Sequence, residues 1–316
     1  MAVPAEDIPI IDAHHHFWDL AHPGLKWSWL TDEIENDFFL GNYEALRKTF
    51  LPPDYREVAA RHNVIGTVHC EGHCDREFQV EESEWLVGLN EKFGLPNAIV
   101  AHAWLDRPDT EEVLARQAAV PMVRGIRSKP VTADTPRERA ALRGKPGTMQ
   151  DETWLSGLAL FSKYGLSWDL RVPTWHIEEA AEVARAFPDL PINLNHMGFP
   201  WDRSAQGLEV WRRGMHALAA CPNVVTKLSC LCLRDGPWIA DENEPLVRET
   251  IDLFGVDRCM FASNFPVDGL RASYDHIYSS FKTWLADFPI EDQQKLLAGN
   301  AARFYRIDMT PLPAAA

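Results

Sequence analysis

The segment Ile10-Ile-Asp-Ala-His-His-His-Phe-Trp-Asp19 runs from a β-branched apolar entry straight into three consecutive histidines. That pattern predicts a buried strand whose far end carries chemistry. Side chains two apart in a strand share a face, so Asp12, His14 and His16 project together and His15 points away as a bystander on the outer face. Two imidazoles at this spacing can grip one cation from one side, with Asp12 a layer deeper to hold a ligand ring. A purification-tag scar also reads as a histidine run, but tags are not flanked by Ile-Ile and Phe-Trp.

Working outward, similar apolar runs recur at 9–17, 64–72, 98–105, 123–130, 166–173, 192–198, 224–231 and 259–266. Amphipathic stretches at 54–62, 80–93, 110–119, 153–164, 177–187, 208–220 and 245–254 fall between most of them. Strand alternating with helix predicts an α/β fold, a closed parallel (β/α)8 TIM barrel over residues 1–308, with a flexible C-terminal tail at 309–316. No Gly-x-Gly-x-x-Gly follows any run, which argues against an open dinucleotide-binding sheet. Two connections are long. The one at 22–53 leaves strand one with Trp27, Trp29, Phe38, Phe39 and Tyr43, and reads as a lid or pocket wall, with Trp27 set against substrate. The one at 131–151, after strand four, carries Arg137, Arg139 and Arg143 and reads either as a tolerated surface insertion or as a mobile substrate clamp.

Composition fits a packed domain: of 316 residues, 46% are hydrophobic and 24% charged. A net charge of −15 would repel a nucleic-acid backbone and an anionic bilayer alike, so neither is an expected partner. An anionic substrate would need a locally basic pocket. The start, Met-Ala-Val-Pro-Ala-Glu-Asp, lacks a signal-peptide pattern and no apolar run reaches membrane-spanning length, so a cytoplasmic location is expected. Six cysteines without a regular framework read as reduced core thiols. A homo-oligomer is compatible with all of this.

In a barrel of this kind, functional groups sit at the C-terminal ends of strands. On strand two His69, Glu71 and His73 share a face while Cys70 and Cys74 lie on the other, so the cluster does not read as a zinc knuckle. Glu71 is a candidate pocket carboxylate or a hydrogen-bonded structural one. Arg127 offers a fork for a carboxylate or carbonyl, or else an ion pair with Asp169. His196, before Gly198, can join His14 and His16. The many tryptophans suit an aromatic-walled pocket, although core packing accounts for any one of them.

Taken in order, Asp12-Ala-His-His-His-Phe-Trp-Asp19, Gly125-Ile-Arg127, Asp169, Asn195-His-Met-Gly198, Lys227-Leu-Ser229, Ser263-Asn-Phe-Pro266 and Asn300-Ala-Ala-Arg-Phe-Tyr305 resemble the amidohydrolase superfamily. The resemblance runs nearly end to end and is closest to its branch of lactonases acting on sugar-acid lactones and pyrone dicarboxylate. It implies hydrolysis of a small lactone, a carboxylic ester, in which His14, His16 and His196 activate the carbonyl or bind one divalent, zinc-like ion. Arg127, Asp169 and Lys227 would meet substrate. The implied partner is a small lactone or carboxylate. One departure matters: where the superfamily usually has a base-forming aspartate on strand eight, this chain has Asn264, and an amide cannot take a proton. Glu71 is the preferred substitute base and Asp268 the other candidate. The missing charge also leaves metal-free catalysis as the alternative. Other readings of the barrel are a decarboxylase or carbon-carbon hydrolase of an aromatic acid, and a degenerate binding barrel.

Overall fold

The computed structural model describes residues 7–34 and 38–309. Readings that fall on the first six residues and on the tail beyond Met309 lie outside the described residues. Eight strands form one parallel sheet in sequential order: β1 (Ile10–His15), β2 (Val64–Cys70), β3 (Ala98–Ala101), β4 (Val123–Ile126), β5 (Ser167–Leu170), β6 (Ile192–Leu194), β7 (Val224–Leu228) and β8 (Cys259–Phe261). The chain just past β8 closes the barrel onto β1: Asn264 N–H donates to the His14 carbonyl at 2.8 Å and His16 N–H to that of Phe265 at 2.8 Å. The predicted (β/α)8 barrel is therefore the observed one. Every strand is covered on both faces, which is why the runs read as continuous apolar stretches rather than alternating ones.

Helices follow the strands: α1 (Pro52–Ala59), α2 (Gln79–Phe93), α3 (Thr110–Ala119), α4 (Glu152–Tyr164), α5 (Ile177–Ala186), α6 (Ala205–Ala219), α7 (Ala240–Phe254) and α8 (Tyr274–Trp284), with α9 (Asn300–Tyr305) after them. Inside the barrel Ile11, Ala13, Val68, Val100, Met260 and Ala262 pack with Ala301 and Tyr305 of α9. The larger core lies between the outer strand faces and the helices, with Trp154, Trp168 and Trp211 fully buried. Among the described residues no helix is long and apolar enough to cross a membrane.

β1 is not regular. Asp12 pairs with Thr67 and His15 with His69, three steps on one strand against two on the other. That extra residue resets the alternation of faces. The expectation that Asp12 holds a ligand ring is thereby corrected: it faces the helices, where it accepts hydrogen bonds from Tyr55 Oη of α1 at 2.8 Å and from Ser263 N and Oγ at 2.8 and 2.6 Å. Asp12 ties β1 to β8 instead. His15 does lie on the outer side, its Nε2 2.9 Å from Thr67 Oγ1.

Candidate active site

The C-terminal end of the barrel holds a cavity of about 370 Å³. His16, Glu71, Arg127, His196 and Asn264 line it, so five of the six side chains first read as chemical converge on one space. His14, the sixth, sits just beneath: its ring centroid is 4.4 Å from that of His196 and 5.0 Å from that of His16. The connection after β1 supplies a wall of Trp18, Trp29, Phe38 and Phe39, as the pocket-wall reading requires. Trp27 is not part of that wall. Its ring is fully buried and its Nε1 donates to Glu82 Oε1 at 3.2 Å.

The connection after β4 folds away from the mouth. Arg139 and Arg143 pair with Glu178, Glu179 and Glu182 of α5, and no residue of 131–151 lines the cavity. The clamp reading gives way to the surface insertion. Asp169 and Lys227 are also displaced from the role expected of them. They lie one layer deeper, fully buried, with Lys227 Nζ 2.8 Å from Asp169 Oδ1, which also accepts from Tyr305 Oη and Asn193 Nδ2 at 2.8 Å each.

Four of the lining residues, His73, His196, Phe199 and Asn264, are held in backbone conformations that cost energy outside glycine. His196 has φ 59° and Asn264 φ 55°, both left-handed. His196 Nδ1 is fixed 2.8 Å from Ser229 Oγ. On the other side, His16 Nδ1 donates to the Cys70 carbonyl at 2.8 Å, which leaves its Nε2 as an acceptor. Asn264 Nδ2 donates to Asp268 Oδ1 at 2.7 Å, which leaves Oδ1 facing His16 Nε2 at 3.4 Å. Burial, reinforced by the Arg127 charge, holds His16 down at about 3, so the imidazole is neutral at working pH. Burial likewise drives His14 and His196 well below the usual histidine range.

Glu71 cannot be the base that the sequence suggested. Arg127 Nε donates to its Oε1 at 2.7 Å, Lys129 Nζ lies 2.9 Å from the same oxygen, and His73 N donates to Oε2 at 2.8 Å. Burial by itself would raise this carboxyl, but Arg127 and Lys129 outweigh it and hold Glu71 well below the ordinary range. With both oxygens already engaged it is a poor proton acceptor. Asp268, pushed up to about 7 by burial, is a better one, but it does not line the cavity and is engaged with Asn264.

The three imidazoles do not fit a dication in this arrangement. Arg127 Nη1 donates to His14 Nε2 at 3.3 Å, so a guanidinium already meets the nitrogen that would turn to a metal. Arg127, Lys129 and Arg171 also outnumber Glu71, the one lining carboxylate among the described residues. Among the described residues no group of three or more His, Cys, Asp or Glu side chains is arranged to hold a metal ion. Lys129, Arg171 and His73 were not singled out from the sequence as site residues. The signal was there in part, since all three sit within three residues of a strand end.

A strand-end site of buried histidines and cations in a (β/α)8 barrel defines the chain's class, and a family model described as "Amidohydrolase" matches residues 11–307. The chain belongs to that amidohydrolase family. It is 38% identical over 301 residues to the uncharacterised protein y4mH of Sinorhizobium fredii, covering 95% of this chain and 99% of that one. It is also 28% identical over 311 residues to the L-fucono-1,5-lactonase of Burkholderia ambifaria, covering 94% of this chain and 96% of that one. Among solved structures, an amidohydrolase from Burkholderia multivorans with bound zinc superposes with a TM-score of 0.76 at 23% identity, over 95% of this chain and 99% of that one. Family and relatives together indicate an enzyme, hydrolytic in class, acting on a small molecule.

Proposed function

We propose that this protein opens the ring ester of a small lactone by water addition, using its own side chains. The observation that carries the reading is the pair His16 Nε2 and Asn264 Oδ1, two acceptors 3.4 Å apart on the wall of a cation-lined cavity. Two such acceptors can share the protons of one water and leave its lone pair free to attack. On this reading Asn264 orients the water rather than deprotonating it, and so a neutral amide serves where a carboxylate would be expected.

As the water oxygen adds to the lactone carbonyl carbon, its proton is handed across His16 Nε2, the open acceptor beside it, and the low basicity of that imidazole makes it hold the proton only in passing. Arg127, fixed by Glu71 and His14, steadies the negative charge that develops on the carbonyl oxygen. The ring carbon-oxygen bond then breaks, the proton passes to the ring oxygen, and a hydroxy acid remains. Asp268 is a positioning residue, since it sets which face of the Asn264 amide meets the water. The Burkholderia ambifaria relative, named for L-fucono-1,5-lactone, supports a lactone as the substrate class. The six buried, unpaired cysteines support a reducing, cytoplasmic setting.

The test is a panel of aldonolactones and carboxylated lactones followed by proton release. His16→Ala is expected to lower kcat by about 10²–10⁴, the usual worth of a positioned base. Turnover is expected to survive exhaustive chelation, and loss restored by zinc would overturn the metal-free scheme. Inactivity of folded protein on the whole panel, with and without added zinc, would end the lactonase reading.

A further inference from the structure

The chain as a whole carries a charge of −15, yet among the described residues its cavity is lined by three cationic side chains and one carboxylate. Their engagements differ. Arg127 is held at all three nitrogens, with two of its five protons left over: Nε and Nη2 donate to the Glu71 side chain and backbone at 2.7 and 2.6 Å, and Nη1 to His14. Lys129 is partly committed, with Glu71 Oε1 at 2.9 Å and His73 Nδ1 at 3.0 Å accepting two of its three protons. Arg171 is held by ring faces alone. Its guanidinium carbon stands 5.1 Å from the Phe199 centroid and 5.9 Å from that of Phe39, and its nitrogens have no hydrogen bond or ion pair with any described residue.

Arg171 is half-buried and set against two rings, and its donors open on the cavity with no group of the described residues there to meet them. The flat fork that results is preorganised for a planar anion. Glu71 cannot be that anion, because Arg127 and Lys129 already share its Oε1. We infer that Arg171, with Lys129 beside it, is an anion clamp that selects a lactone bearing a free carboxylate. The inference rests on the lactonase reading and narrows it, because L-fucono-1,5-lactone has its acid group tied into the ring and offers the clamp no charge. A cavity of about 370 Å³ accommodates one small ring with such a substituent.

The test compares γ-butyrolactone-γ-carboxylate with γ-valerolactone, which replaces the carboxylate by a methyl group on the same ring. The wild-type protein is expected to favour the carboxylated lactone in kcat/KM by about 100-fold or more, the usual worth of a charge-assisted bidentate contact. Arg171→Met is expected to collapse that ratio chiefly through KM, Lys129→Met to lower it less, and Arg171→Lys to restore part of it. Equal use of both lactones by wild type, or a ratio that Arg171→Met leaves intact, overturns the clamp while the lactonase reading stands. If neither lactone is hydrolysed, tetrahydrofuroate, which has the ring and carboxylate but no ester, separates the two ideas by calorimetry. Binding by wild type that Arg171→Met abolishes upholds the clamp, and absence of binding refutes it.

Discussion

Two sets of buried charge stand one above the other in the barrel, and they are built on opposite principles. In the lower set Lys227 and Asp169 answer each other one to one, and Tyr305, Asn193 and the Cys70 thiol fill in around them. In the upper set Glu71 serves both Arg127 and Lys129, and Arg171 goes without. The lower set is balanced in charge and fully buried, although Asp169 Oδ2 makes no hydrogen bond, and none of it lines the cavity. The upper set carries surplus charge and opens on a cavity. Residue type alone does not separate the two, since both are carboxylates and cations near strand ends; the difference is whether the charges cancel.

The comparison breaks most visibly if the lower pair is cut. Removing one partner of a buried ion pair leaves an uncompensated charge and typically costs about 3–5 kcal/mol. Asp169→Ala and Lys227→Met are each expected to lose about that much in denaturant unfolding. The double replacement Asp169→Leu with Lys227→Met should recover a large part of it, because both charges are then gone. If Lys227→Met is instead as stable as wild type but inactive, the lower pair belongs to the chemistry and the contrast fails.

The second test adds a charge to the upper set. Asn264→Asp restores the carboxylate usual for the family, but it places that group where Asn264 Nδ2 now meets Asp268 Oδ1 at 2.7 Å. Two carboxyl groups so close must share a proton, and the water-holding acceptor is disturbed. Lactone turnover is expected to drop by about 10²-fold, the scale of a lost positioning contact. A gain in turnover would show that the site lacks its base, as a degenerate barrel would.

How much of this was legible beforehand follows the same division. The strands were readable because buried parallel strands are unbroken apolar runs, yet several were read too far: the run at 123–130 holds a strand only over Val123–Ile126, and that at 166–173 only over Ser167–Leu170. The overrun is where the chain bends to present Arg127, Lys129 and Arg171. His14, His16, His196 and Asn264 were readable because strand-end position and residue type suffice for them. Asp12 was misread because one extra residue in β1 turns its face, which no alternation rule anticipates. Arg171 and Lys129 went unweighed because a charge surplus is a sum over β2, β4, β5 and their loops, invisible until those strands are brought together.

A smaller effect should be seen in pH. Lys129 faces Glu71, His73, Arg127 and Arg171, and burial, only partly offset by Glu71, brings its ammonium down to about 8. The charged form is present below that value and is lost as pH rises through it. KM for a carboxylated lactone should therefore climb by up to about tenfold per pH unit above pH 8, with γ-valerolactone as the reference for alkaline hydrolysis. Equal slopes for the two lactones would remove Lys129 from the clamp.

The last effect concerns another buried carboxyl that belongs to neither set. Glu82 of α2 lies behind β2, where its Oε1 accepts from Gly72 N at 3.0 Å and Trp27 Nε1 at 3.2 Å, with no Lys or Arg among the described residues paired to it. Burial, reinforced by the Glu71 charge, pushes it up to about 8. Because the folded pKa exceeds the unfolded one, the stability that the proton confers is complete below the ordinary carboxylate value and drains away as pH rises through about 8. Glu82→Gln keeps the acceptor and removes the ionisation. Its unfolding free energy should match wild type at pH 4 and exceed it at pH 9 by up to about 5 kcal/mol, the linkage value of the rise from 4.5 to about 8. A variant no more stable at pH 9 would mean that His69, whose Nε2 is 4.0 Å from Glu82 Oε1, supplies the missing positive charge. Glu82 would then join the balanced kind of buried charge, leaving Arg171 as the group whose charge goes unanswered.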